Sequence, residues 1–223
     1  MMDFVKNENG TLLIDKPYRW TSFDVVNKLR NLIKKQTGKR FKVGHAGTLD
    51  PLATGLLIIC YGKETKSVSQ FMDYEKEYIA TFKFGATTPC YDLEKPINKT
   101  FPFEHITKEM VEKVLLKYTG EQEQMPPIFS AKQIDGKRAY KIARQGENPE
   151  VKTQKINIYK LELVNFELPE IVVKIVCSKG TYIRALARDF GNELKSGAHI
   201  TTLRRTRIGK FNVSDAVVFD LPV

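Results

Sequence analysis

The chain has 223 residues, of which 42% are hydrophobic and 28% charged, a balance that excludes a disordered chain and allows a packed core. No apolar run approaches the ~20 residues of a membrane-spanning helix, and residues 1–10 lack the apolar core of a signal peptide. The 36 Lys and Arg exceed the 26 Asp and Glu, and the resulting net charge of +10 favours polyanionic partners such as nucleic acid.

Apolar periodicity predicts the elements of the first half of the chain. Residues 11–14 form a short predicted strand that ends before Pro17. A helix is predicted from Thr21, the N-cap, to about residue 35, and Asp24 completes a variant capping box. Its apolar stripe consists of Phe23, Val26, Leu29 and Ile33. Residues 56–61 are predicted to form a buried strand, and residues 77–84 alternate as a second one.

The second half mixes the same two kinds of element. Helices are predicted over residues 107–118 and 181–194, and a strand over residues 172–176. Strands and helices do not alternate regularly, which predicts an α+β fold rather than a doubly wound sheet. Residues 120–150 are rich in Pro, Gln, Gly and Lys, and their composition indicates an excursion from the core.

The three cysteines are too widely spaced to predict a disulfide framework or a zinc site. They are Cys60, Cys90 and Cys177, and the first and last end apolar runs, as small buried side chains do. A reduced, cytoplasmic setting is the simplest interpretation. The carboxylates do not show the clustered spacing that a metal-dependent nuclease would need.

Residues 44–55, Gly-His-Ala-Gly-Thr-Leu-Asp-Pro-Leu-Ala-Thr-Gly, place a single acid in a turn dense with small residues. Proline disfavours a helical conformation at the residue before it, so Asp50 is predicted to lie in a turn or extended segment. The glycines allow a backbone or a ligand to approach closely. On spacing alone, an ordinary Asp-Pro turn beside a buried strand explains the pattern better than a catalytic loop does.

These twelve residues nevertheless resemble the catalytic motif of the bacterial tRNA pseudouridine-55 synthases, the TruB family. Further matches lie at Lys76-Glu77-Tyr78, at residues 177–184 (Cys-Ser-Lys-Gly-Thr-Tyr-Ile-Arg) and at residues 203–206 (Leu-Arg-Arg-Thr). The resemblance implies a mixed, largely antiparallel sheet flanked by helices, with the active site in a central cleft. It also implies one catalytic domain over residues 1–223, with a thumb-like RNA-binding insertion at about 120–150 and no C-terminal PUA domain.

The resemblance assigns roles residue by residue. Asp50 is the implied nucleophile that isomerises uridine 55 of the tRNA T-arm loop to pseudouridine, after the base is flipped out. The implied reaction needs no oxidation and no metal, so we expect neither a metal nor a cofactor. Whether Tyr78 stacks on the base or removes a proton stays open, as does the carbon that Asp50 attacks. Arg184 is expected to pair with Asp50. The implied substrate-binding residues are His45, Tyr78, Tyr182, Arg184 and Leu203, and the candidate phosphate contacts are Lys66, Arg204 and Arg205.

Some positions depart from the family pattern. Arg19 stands where a glycine is usual, and it could add a phosphate contact. Phe129 and Gln133 replace a Tyr and a Lys in the thumb-like insertion. Residues 87–92 depart most from the family pattern. Only Asp92 is clearly retained among them, and its role is open.

The expected partner is the T-arm stem-loop of tRNA, without a membrane, and the expected state is a monomer. Two other functions are also compatible with the basic charge of the chain. One is a non-catalytic RNA-binding or RNA-folding protein, which does not explain why Asp50, Tyr78 and Arg184 all lie in matching motifs. The other is a synthase acting on a different RNA, such as rRNA or a guide-directed target.

Overall fold

The computed structural model describes residues 8–130, 133–134, 137–138 and 152–218. The chain divides into two compact units, Met1–Tyr78 with Leu203–Val223, and Ile79–Thr202. The single domain over residues 1–223 stays a prediction. Within the described residues, no helix combines the length and the apolar character needed to cross a bilayer.

The first unit contains elements from both ends of the chain. From the N-terminal side come β1 (Gly10–Lys16), α1 (Ser22–Thr37), β2 (Val43–Ala46), β3 (Thr54–Tyr61), a 3₁₀ turn (Gly62–Ser67) and α2 (Val68–Asp73). From the C-terminal side come β13 (Phe211–Asn212), a 3₁₀ turn (Val213–Asp215) and β14 (Val217–Val218). Two longer strands, β4 (Lys76–Phe84) and β12 (Ala198–Ile208), contribute residues to both units.

The second unit contains the middle of the chain. Its remaining elements are β5 (Ala86–Thr87), β6 (Lys99–Thr100), α3 (Lys108–Lys117), β7 (Gly120–Gln124), β8 (Gln133–Ile134), β9 (Lys137–Arg138), β10 (Gln154–Glu167), β11 (Glu170–Cys177) and α4 (Ile183–Glu193). The predicted strands and helices all occur, each within a few residues of its predicted bounds. The α+β class is therefore confirmed.

Most strand pairs in each unit are antiparallel. In the first unit the order is β14-β1-β3-β12, where β1 pairs with β3 antiparallel, and β14 and β12 add parallel pairs. Strands β2 and β13 are attached to β3 and β12 as antiparallel partners. In the second unit the order is β4-β11-β10-β7, and both pairs made by β10 are antiparallel. The predicted mixed, largely antiparallel sheet is confirmed.

Strand β3 is buried on both faces, and it divides the core of the first unit. Leu57 and Ile59 point to one side and pack with Ile14 and with α1. Leu56 and Ile58 point to the other side and pack with Ile208. Because side chains alternate along a strand, a continuous apolar run is required where both faces are covered. The loop before β3 is thus attached to a strand that is packed on both faces.

Helix α1 confirms the predicted capping box, since Thr21 and Asp24 exchange both hydrogen bonds. Val26, Leu29 and Ile33 are buried as predicted. Phe23 is an exception, because 56% of its surface is exposed, and its ring lies 5.6 Å from the Arg30 guanidinium. Phe23 lies in the first turn of the helix, before the stripe reaches the core.

Strand β7 corrects the predicted start of the thumb-like insertion. Residues 120–124 were expected to leave the core, yet Gly120–Gln124 pairs with β10 in register from Gly120 opposite Ile158 to Gln124 opposite Gln154. The predicted insertion, which stays a prediction, is therefore limited to residues after Gln124. Of the predicted insertion, the structure describes residues up to 130 and the short pair β8 and β9; the rest of it lies outside the described residues.

Candidate active site

Asp50 lies in the loop between β2 and β3, in a turn that is closed by a hydrogen bond from Ala53 N to the Asp50 carbonyl at 3.1 Å. Residues 47–53, the Asp50 loop, contain no strand or helix. Their shape depends on contacts with side chains from other elements of the first unit. Ser22, Lys16 and Arg205 provide these contacts.

Ser22, the first residue of α1, holds the residue before Asp50. Its Oγ accepts a hydrogen bond from Leu49 N at 2.8 Å and donates one to Leu49 O at 3.2 Å. Ser22 is 2% exposed, so water does not compete for these bonds. The start of α1, fixed by its capping box, thereby fixes the backbone next to the candidate nucleophile.

Arg205 holds the first part of the loop from β12. Its Nε donates to Leu56 O at 2.7 Å, and its Nη2 donates to Gly47 O at 3.1 Å. The side chain is 1% exposed. Gly55 makes room for this strand: its φ is +106°, and a Cβ there would lie 2.2 Å from the Arg205 carbonyl oxygen. Only glycine fits such a position.

Lys16 holds the residue after Asp50. Its ammonium donates to Pro51 O at 3.2 Å, and to Pro17 O and Trp20 O at 3.0 and 2.5 Å. The residue is completely buried. Burial lowers the pKa of Lys16 from 10.5 to about 8, although attraction to Asp50 opposes this shift. A buried positive charge therefore lies close enough to Asp50 to interact with it.

His45 lies on β2 rather than in the loop, opposite Ile59 of β3. Burial lowers its pKa below 6.5, and the nearby Arg205 lowers it further. The imidazole is accordingly neutral at pH 7. Its Nδ1 is buried and has no hydrogen-bond partner within the described part of the chain. A neutral ring of this kind is suited to stack on a base, as the resemblance implies.

Three further predicted residues have clear positions in the first unit. Tyr78 is 8% exposed on β4, where the strand alternates between buried and half-buried residues. Leu203 is half-buried on β12. Lys66 is exposed in the 3₁₀ turn after β3, so it remains available as a phosphate contact.

The prediction that Arg205 contacts phosphate is wrong, because its side chain is buried. A side chain that is 1% exposed and bonded to two backbone carbonyls cannot reach an RNA backbone. Its neighbour Arg204 is half-buried and makes a bidentate pair with Asp15, at 3.0 and 2.6 Å. Arg207 likewise pairs with Glu75, its Nη1 lying 2.7 Å from Glu75 Oε1, so all three arginines make contacts within the first unit.

In the second unit, a turn follows β11 and leads into α4. Tyr182 is the N-cap of this helix and makes no side-chain capping bond. Gln154 Nε2 donates to Gly180 O at 2.6 Å. Gln124 uses both ends of its amide: Oε1 accepts from Tyr182 N at 2.8 Å, and Nε2 donates to Tyr182 O at 3.1 Å. We refer to residues 178–184 as the Arg184 turn.

Arg184 is 5% exposed in the first turn of α4. Its Nε lies 3.5 Å from Asp92 Oδ2, and its Nη1 and Nη2 donate to Cys90 O at 3.0 Å and Phe129 O at 2.9 Å. Asp92, whose role the sequence left open, thus provides an opposite charge for this arginine. The predicted pair of Arg184 with Asp50 joins residues of different units, and it stays a prediction.

Sequence reasoning missed several residues that shape these two segments. Ser22, Lys16 and Gln124 were given no role, because nothing in their immediate sequence shows which distant backbone they contact.

Comparison with known proteins identifies the family. A model of the TruB family pseudouridylate synthase N-terminal domain matches residues 31–183, and one of the tRNA pseudouridylate synthase B C-terminal domain matches residues 184–221. The chain belongs to the TruB family of pseudouridylate synthases. The tRNA pseudouridine synthase B of Phocaeicola vulgatus is 56% identical to this TruB-family chain over 211 residues, which cover 94% of this chain and 90% of that protein.

Solved structures confirm the predicted pseudouridine synthase fold. A chain in the crystal structure of a Cbf5-Nop10-Gar1 complex matches with a TM-score of 0.71 and 28% identity, covering 95% of this chain and 53% of that one. The TruB-family chain therefore spans about half the length of that neighbour. A crystal structure of a pseudouridylate synthase matches with a TM-score of 0.51 and 14% identity over 94% of this chain and 66% of that one, a likeness of fold alone.

Proposed function

We propose that this TruB-family enzyme isomerises uridine 55 in the T-arm loop of tRNA to pseudouridine, with Asp50 as the nucleophile. The observation that carries the proposal is the Asp50 loop, in which the residues on both sides of the acid are held by buried side chains. The name of its relatives, tRNA pseudouridine synthase B, supports tRNA as the substrate. We expect the enzyme to act in the cytoplasm as a monomer.

The reaction breaks the bond between N1 of uracil and the ribose, and then joins C5 of the same base to the same ribose carbon. The proton on C5 is lost, and N1 gains one, so no oxidant or reductant is consumed. An ionised Asp50 can attack and hold the intermediate while the base turns. Whether it attacks the ribose or the ring is left open.

The fixed backbone around Asp50 provides orientation, which is a large part of what an enzyme contributes to such a step. The neutral ring of His45 supports its assignment as a surface for the flipped nucleotide. We assign Tyr78, Leu203, Tyr182 and Arg184 to substrate binding. Lys66 and the exposed Arg19 are our candidate phosphate contacts in the first unit.

The test is to incubate the purified protein with an unmodified T-arm hairpin transcript and to map pseudouridine by chemical labelling and primer extension. The matched control is the same hairpin with cytidine in place of uridine 55. We expect a single new pseudouridine at position 55, absent with the control hairpin and with Asp50→Asn, and insensitive to a chelator. Binding without any modified base would contradict the proposal and favour an RNA-binding protein. A pseudouridine at another position would contradict the target uridine alone.

A further inference from the structure

In the Arg184 turn, the backbone of Tyr182 is hydrogen-bonded by the side chain of Gln124, which no motif assigns to the reaction. We propose that Gln124 is a positioning residue, whose amide fixes the backbone of Tyr182 and thereby aims Tyr182 and Arg184 at the substrate. The inference rests on the proposed function, because it takes Tyr182 and Arg184 to be substrate-binding residues. Gln124 itself is not expected to touch the RNA.

Gln124 is the last residue of β7 and is 2% exposed. Its two bonds, to the N–H and the C=O of the same residue, resemble those that a paired strand would make. One hydrogen bond would leave Tyr182 able to rotate about it, whereas two bonds to the same residue fix both its position and its orientation. Water is excluded from the buried amide, which strengthens both bonds.

Tyr182 needs an external contact of this kind. It occupies the N-cap of α4, where Ser, Thr, Asp or Asn would ordinarily cap the helix with their own side chains. Tyr182 makes no such bond, and its backbone is extended, with φ −97° and ψ 108°. The helix start is therefore fixed by a side chain from another strand rather than by local capping.

The chain segment that begins at Gln124 also contacts Arg184. Five residues later, Phe129 O accepts a hydrogen bond from Arg184 Nη2 at 2.9 Å. Between them lie Pro126 and Pro127, which restrict the backbone and are buried. Residues 124–129 thus contact the backbone of Tyr182 at one end and the guanidinium of Arg184 at the other. Loss of the contact at Gln124 is expected to displace both groups.

The chemistry of the amide allows a sharp test. Gln124→Glu keeps the size and the acceptor that Tyr182 N–H requires, but an ionised carboxylate cannot donate to Tyr182 O. Gln122→Glu is a matched control: it is the same change on the same strand, and its Nε2 donates to Tyr118 O at 2.7 Å rather than to the Arg184 turn. Each variant is compared with the full-length wild type.

The measurements are the single-turnover rate of pseudouridine formation with excess enzyme, the Kd for the T-arm hairpin, and the Tm. For Gln124→Glu we expect the rate to fall about 10- to 100-fold with Kd changed less than about threefold, as for a displaced catalytic geometry. Gln122→Glu is expected to keep the wild-type rate. A rate near that of the wild type in Gln124→Glu would overturn the proposal, as would losses of rate and binding that merely follow the Tm.

Amide hydrogen exchange in the free protein tests the contact between Gln124 and Tyr182 without any RNA. We expect the Tyr182 N–H to exchange faster in Gln124→Glu and to keep its protection in Gln122→Glu. Unchanged exchange of the Tyr182 N–H in Gln124→Glu would contradict the claim that Gln124 holds this backbone. A wild type that makes no pseudouridine would instead contradict the proposed function, so the two failures are distinguishable.

Discussion

The Asp50 loop and the Arg184 turn are both irregular segments, yet they are held by side chains of opposite character. The Asp50 loop is bonded to two buried cations, Lys16 and Arg205, which donate to its backbone carbonyls. The Arg184 turn is bonded to neutral glutamine amides, and Arg184 itself lies beside the buried carboxylate of Asp92.

In each segment, a buried group lies near a candidate functional residue of opposite charge: Lys16 near Asp50, and Asp92 near Arg184. A charge buried without an opposite partner is costly, so each of these buried groups is stabilised by that neighbour. In the Asp50 loop, the two cations also satisfy backbone carbonyls that an irregular segment leaves unpaired. In the Arg184 turn, the glutamines satisfy the backbone and Asp92 provides the charge. Structural and electrostatic support therefore come from the same residues in the first segment and from different residues in the second.

The largest expected effect is a difference in unfolding free energy between variants of two neighbouring arginines, Arg204 and Arg205. Arg205→Met leaves the carbonyls of Gly47 and Leu56 without their buried donor, and it should lower the free energy of unfolding by about 4 kcal/mol. Arg204→Met removes a partly exposed pair with Asp15 and should cost about 1 kcal/mol or less. Urea denaturation measures both. Equal losses would contradict the structural role of Arg205.

The corresponding test in the second unit removes the charge of Asp92. Asp92→Asn removes the buried carboxylate that lies beside Arg184, and we expect a loss of about 3 kcal/mol in unfolding free energy together with a slower reaction. Glu193→Gln, which breaks an exposed pair with Lys117, is the control and should cost less than about 1 kcal/mol. A stable, fully active Asp92→Asn would show that Arg184 does not depend on this partner.

The lowered pKa of Lys16 predicts that the free energy of unfolding depends on pH. Its pKa is lowered from 10.5 to about 8 in the folded protein, so between these values the unfolded chain binds the proton and the folded chain does not. The stability that this group contributes therefore rises as the pH increases from 8 to 10. The free energy of unfolding of the wild type, measured relative to that of Lys16→Met, should increase over this range. A flat difference would place the pKa of Lys16 near its ordinary value.

The smallest expected effect concerns Arg19, whose φ of +66° is strained for a residue with a side chain. Arg19→Gly should raise the unfolding free energy by about 0.5 kcal/mol, because strain relief is partly offset by the entropy of glycine. Lys195→Gly, a change at another exposed cation with φ +53°, should give a similar gain.

Only Arg19→Gly should also weaken hairpin binding and reduce its salt dependence by about one ionic contact. Binding titrations at several salt concentrations measure this for both variants. Equal binding by the two variants would remove Arg19 from the candidate phosphate contacts.

The regular elements could be predicted because their signals are local. The capping box at Thr21 and the alternation along β4 depend only on neighbouring residues, and both are confirmed. The short strand β2 was not predicted, because its four residues lie in a glycine-rich motif that is typical of a turn. Strand β10 was not predicted either, since its bulges interrupt a simple alternation.

The candidate residues themselves came from motif resemblance, and their supports could not be predicted. A run of basic residues is usually exposed, so nothing in the sequence around Arg205 indicated that it is buried against β3. Gln124 likewise lies 58 residues from the backbone that it holds. Such contacts are set by tertiary packing, which single-sequence patterns do not describe.

The most direct test of the account is the single-turnover rate and hairpin Kd of Asp50→Asn, beside Asp215→Asn as an isosteric change at an exposed acid of the same unit. We expect Asp50→Asn to lose on the order of 10³-fold or more in rate with an unchanged Kd, as when a nucleophile alone is removed. Asp215→Asn should match the wild type in both measurements. An Asp50→Asn enzyme that still converts the uridine at a comparable rate would contradict the claim that this loop carries the chemistry.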